Sequence, residues 1–63
     1  MVIEVFRRKD DRWDWRFVGE NGEQMGGSVQ GFTERNDARE AVSRVVSEIL
    51  THGAPEILEE GKP

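Results

Sequence analysis

The side chains able to do chemistry in this 63-residue chain are few, and their spacing assembles no reaction centre. His52 is the only histidine. It falls at the end of a helical stretch, where an imidazole complements the negative end of the helix dipole and needs no catalytic role. Ser28, Ser43 and Ser47 have no base placed beside them, so one histidine at a helix end builds no Ser-His-Asp triad. Asp10-Asp11 and Glu59-Glu60 are adjacent acids without the spacing of a calcium loop, and with no cysteine there is neither a thiolate zinc site nor a disulfide. Gly26-Gly27-Ser28 lacks the Lys-Ser/Thr ending of a phosphate loop and does not open a helix. The expectation is a non-enzyme with no catalytic residue, no metal site and no cofactor.

Arg12-Trp13-Asp14-Trp15-Arg16 admits one other chemistry: tryptophans stacking on the bases of a single strand, with arginines on its phosphates. In a strand, however, the two tryptophans share one face and Arg12, Asp14 and Arg16 take the other, so no ligand meets both sets at once. The net charge of −4 further disfavours a phosphate partner. The expected arrangement is two core tryptophans between solvent-facing charges. Nucleic-acid or nucleotide binding by Arg7, Arg8, Arg12 and Arg16 is the alternative. Strictly apolar runs are two or three residues long, too short for a membrane span or a signal-peptide core. A cytoplasmic protein with no membrane partner is the default.

The elements that would carry these residues read as strands first, then one helix. Strands are expected over about 2–8, 12–19 and 24–30. A three-residue first loop sets Val5 opposite Trp15, Ile3 opposite Phe17, Glu4 opposite Arg16 and Val2 opposite Val18. Asn21-Gly22 signals a two-residue type I′ hairpin, which sets Phe17 opposite Gly26, Trp15 opposite Ser28 and Trp13 opposite Gln30. Ile3, Val5, Trp13, Trp15 and Phe17 then form the core face, with rings lying over small residues of the third strand. Val2, Phe6, Val18, Met25 and Val29 gather on the outer face as a candidate binding patch. Ala38, Ala41, Val42, Val45, Val46, Ile49 and Leu50 make an apolar stripe at helical spacing, predicting a helix over about 34–51 on the aromatic face. Thr33 is the expected N-cap, Asn36 a later alternative, and Gly53 with Pro55 the stop. Residues 55–59 read either as one more short strand or as an acidic tail.

The string from Arg12 to Arg35 resembles the YegP-like family of small bacterial and archaeal domains of unknown function. The family pattern runs F-E-I-Y, Y-R-W-R-L, N-G-E, a small-residue stretch, G-Q-G-Y-S-S-K, then a helix with A-x-x-x-I-x-x-V. Its counterparts are Ile3-Glu4-Val5-Phe6, Trp13-Asp14-Trp15-Arg16-Phe17, Asn21-Gly22-Glu23, Gln30-Gly31-Phe32-Thr33-Glu34-Arg35, and Ala38, Val42 and Val45. The match covers about Val2–His52. Asp14 stands where the family has arginine, Val29 where it has glycine, and Gln24 where it has an apolar residue. The resemblance implies a single α+β domain over 1–63, a β₃-α-β unit occurring in tandem or as a homodimer that exchanges its C-terminal strands. It assigns a strand to 55–59 and brings no catalytic residues.

A chain this short buries only ~60% of its unfolded surface, and oligomerisation is a common remedy where no disulfide or metal supplies stability. The sequence thus leads to a small homodimeric interaction module. Pro55, Ile57 and Leu58 lie in its interface, and an unidentified protein is a further possible partner.

Overall fold

The computed structural model describes residues 1–59; Glu60, the last acid of the C-terminal run, lies outside them. Three strands, β1 (Val2–Arg7), β2 (Trp13–Val18) and β3 (Gln24–Gly27), are followed by one helix, α1 (Arg35–His52). The strands form an antiparallel sheet in the order β1-β2-β3, giving an α+β fold. Among the described residues, no helix is long and apolar enough to cross a membrane.

The first hairpin follows from its loop. Arg8 and Arg12 close it through Arg8 N–H to the Arg12 carbonyl at 2.7 Å, leaving Lys9-Asp10-Asp11 as the connection. The register is Val2 opposite Val18, Ile3 opposite Phe17, Glu4 opposite Arg16 and Val5 opposite Trp15, as loop length and alternation together require. Asp11 occupies the left-handed region at φ 66°, and the Asp10 carboxylate accepts the Arg12 N–H at 3.1 Å.

The second hairpin repeats this design and is not the expected type I′ turn. Gly22 N–H donates to the Gly19 carbonyl at 3.0 Å, Gly19 N–H to the Glu23 carbonyl at 2.8 Å, and only Gly22 has positive φ, at 83°. Asn21 accepts the Glu23 N–H as Asp10 does in the first loop. This is a type I turn with a left-handed third residue, the common three-residue hairpin. A register shift between Phe17 and Val18 then restores Phe17 opposite Gly26, and the Phe17 ring lies 3.7 Å from where a Gly26 side chain would begin.

The repetition identifies Asp11 as a strained position. An L-residue in the left-handed region costs roughly 1–2 kcal/mol, reduced for Asp by local hydrogen bonding. Asp11→Gly is expected to stabilise the protein by about 0.5 kcal/mol, allowing for the entropy glycine brings to the unfolded chain. The Arg7–Asp11 pair it removes is exposed at 4.0 Å and contributes little. Thermal melting checks this, and a lowered midpoint contradicts it.

β3 stops at Gly27, short of the expected residue 30. A Gly27 side chain would begin 2.6 Å from the Trp15 carbonyl, so only glycine permits this approach. Ser28 N–H still reaches the Trp15 carbonyl at 2.9 Å, but Trp15 N–H is answered by the Ser28 hydroxyl at 3.3 Å. The chain then leaves the ladder and returns at Phe32, which exchanges two 2.7 Å backbone bonds with Trp13. Trp13 therefore faces Phe32, not Gln30.

α1 lies against β2 and β1 and begins one residue later than expected. Its N-cap is Glu34 in extended conformation, not Thr33, and makes no side-chain capping bond. The Phe32 bridge fixes the chain just before this point. Gly53, at φ 83°, closes the helix with its N–H on the Ile49 carbonyl. Residues 54–59 form no strand within the single chain.

Candidate functional site

The apolar stripe of α1 is covered along only half its length. Ala38 and Val42 are buried at 0% and 4% exposure, and they are the only buried apolar side chains among the described residues. Further along, Val45 and Ile49 are exposed, and Leu50 is 82% exposed. The uncovered half borders an open groove of about 410 Å³ lined by Met1, Ile3, Phe17, Met25, Val46, Ile49 and Leu50. Phe17 is steadied there by the Trp15 ring, edge-on at 5.2 Å.

The five residues expected on one outer patch are distributed over three places. Val2 and Val18 are opposite one another on the outer face, and Phe6 lies there under the Arg16 guanidinium at 4.6 Å. Met25 instead lines the groove, because the register shift at Phe17/Val18 inserts it as an extra residue and breaks the alternation. Val29 stands 91% exposed on the loop between β3 and the Phe32 bridge. Pro55, Ile57 and Leu58 are all exposed, the last two at 84%.

The largest departure from expectation is Asp14, the only buried charged residue among the described residues, at 2% exposure. Alternation places it opposite the tryptophans, but the 28–31 loop covers it there. One carboxylate oxygen accepts the Ser28 hydroxyl at 2.7 Å and the Gly31 N–H at 3.0 Å; the other accepts Arg8 Nη1 at 3.2 Å. Burial alone would raise the Asp14 pKa, yet the bonds from Gly31, Ser28 and Arg8 and the Arg8 charge outweigh it, leaving the carboxyl below its usual 3.8. Gly31 sits at φ 71°, and a side chain there would begin 2.7 Å from Arg8 Nη1. Ser28 thus relays between Trp15 N–H and Asp14, locking the loop by its hydroxyl. No local signal marks this, since alternation assigns a face without saying what covers it.

The strand arginines also have partners within the chain. Arg8 also pairs with Asp10 at 3.2 Å, Arg12 donates to the Gly31 carbonyl at 3.2 Å, Arg16 donates to Glu4 at 2.7 Å, and Arg7 lies 4.0 Å from Asp11. A second, more polar groove at the start of α1 is lined by Val5, Glu34, Arg35, Asn36 and Arg39, with Arg35 over the Trp13 ring at 5.9 Å. Glu48 is 3.6 Å from His52, an exposed pair one helical turn apart. Among the described residues no three His, Cys, Asp or Glu side chains gather as a metal site. No family model matches the chain, and no curated protein matches it.

Proposed function

We propose that this chain is a YegP-like, cytoplasmic, non-enzymatic interaction module whose working form is a homodimer exchanging residues 55–59. The observation carrying this reading is the unfinished core: among the described residues, two small buried apolar side chains beside a helix stripe whose second half is open. In the dimer, an extended segment of the other copy covers the open half of the α1 stripe, where it faces the groove. A two-fold pair lets each copy donate and receive one segment. Because Arg7, Arg8, Arg12 and Arg16 each have an acidic or carbonyl partner within the chain, the reading does without nucleic acid.

An obligate dimer is stabilised by mass action. Between about 1 and about 100 µM protein, the gain is ~2.7 kcal/mol per dimer, or roughly 10 °C in Tm for a pair of chains this size. Melting followed by near-UV circular dichroism at both concentrations is expected to show that rise. A midpoint independent of concentration contradicts the reading.

A further inference from the structure

The groove at the open end of α1 and the exposed Ile57 and Leu58 are apolar surfaces without partners, and one chain leaves both uncovered. Resting on the homodimer reading, we infer that the groove between Ile3, Phe17, Met25 and Leu50 is the seat of Ile57 or Leu58 from a second copy. Three observations choose this occupant over the chain's own segment or a different protein.

The first is direction. Gly53 leaves the helix with ψ −170°, and Ala54, preceding Pro55, is restricted to extended conformations, so the segment is launched straight. Among the described residues, no backbone hydrogen bond ties 54–59 to the rest of the chain. The radius of gyration, 13.6 Å, exceeds the ~11 Å of a compact chain of this length. The second is reach. Six residues beyond His52 span about 20 Å when extended, enough to cross from one copy to a groove on its neighbour.

The third is area. The groove's exposed residues together with one of Ile57 and Leu58 present on the order of 750 Å² of accessible surface per copy, close to the ~800 Å² that one partner of a standard interface covers. An extended segment sends consecutive side chains to opposite sides, so one of the two enters the groove and the other faces away.

The absence of cysteine makes the arrangement directly readable. Met25→Cys protein is mixed and refolded with Ile57→Cys protein, and separately with Leu58→Cys protein, each under oxidised glutathione. Met25, Ile57 and Leu58 are exposed, so none of the variants removes a core side chain. The expected result is a mixed disulfide between two chains in one of the two mixtures, forming roughly a hundredfold faster than with unfolded chains. Each double variant, Met25→Cys with Ile57→Cys or with Leu58→Cys, is oxidised alone at high dilution. A rapid intrachain disulfide there shows the segment covering its own groove and overturns the inference. If the unmodified protein sediments as a dimer but neither mixture cross-links, the seat is wrong while the dimer stands. If it sediments as a monomer, both fail. Leu50→Cys serves as a second groove probe, with the same outcomes required.

Discussion

Replacing Asp14 by alanine is expected to unfold the protein. The substitution removes the acceptor of the Ser28, Gly31 and Arg8 bonds, leaving the Gly31 N–H and the Arg8 charge beside a newly apolar surface. The orphaned Gly31 N–H costs about 1–3 kcal/mol, and the lost bonds to a charged acceptor add roughly 1.5–3 kcal/mol. A core of this size rarely supplies more than ~3–5 kcal/mol in total, so the loss and the whole stability are comparable. Ser28→Ala, which removes one bond to Asp14 and the acceptor of Trp15 N–H, should cost less, about 2 kcal/mol, and remain folded. Equilibrium urea denaturation distinguishes the two; an Asp14→Ala midpoint near that of the unmodified protein contradicts the assigned role.

The same carboxylate predicts an acid limb. The Asp14 pKa is lower folded than unfolded, so its ionisation stabilises the protein fully above the unfolded value. That contribution is lost as pH falls from about 4 through the depressed folded value. Asp14→Asn should therefore melt lower at pH 7 and show a shallower decline below about pH 4. Parallel acid limbs for the two proteins would show that other carboxylates set the decline.

The second large effect is expected at the other end of the chain. Removing residues 54–63 deletes the exposed Ile57 and Leu58 without touching any hydrogen bond of the sheet or α1 among the described residues. If the chain were complete as a single copy, the loss would be near zero, since both side chains are 84% exposed in it. In an exchanged dimer the one seated in the groove carries about 1.5–3 kcal/mol of burial, and its loss removes the stabilising partner as well. The truncated chain is therefore expected to be monomeric and largely unfolded at micromolar concentration. A truncated chain that retains its near-UV tryptophan signal contradicts the exchange.

The legible parts of this fold are those where two independent signals agree. For β1 and β2, loop length and alternation give one register, and Ile3 meets Phe17 as required. For α1, the periodicity from Ala38 to Leu50 and the stop at Gly53 bound the helix to within a residue. The third strand was less legible because Gly26 and Gly27 carry no side-chain pattern. Its course depends on a register shift and on Ser28 replacing a backbone partner, which are cooperative choices rather than propensities. The burial of Asp14 is illegible for a related reason: the loop that covers it is held at Gly31, seventeen residues away. Met25 followed the same shift into the groove, so the outer patch dissolved and the open end of α1 took its place as the candidate surface.

The central claim is that one chain is half of a structure, and sedimentation equilibrium of the unmodified protein tests it most directly. At about 10 µM, where obligate assemblies of this kind are populated, the account predicts a particle of twice the 7.2 kDa chain mass, dissociating only with loss of the tryptophan near-UV signal. A folded particle of 7.2 kDa at that concentration would contradict it.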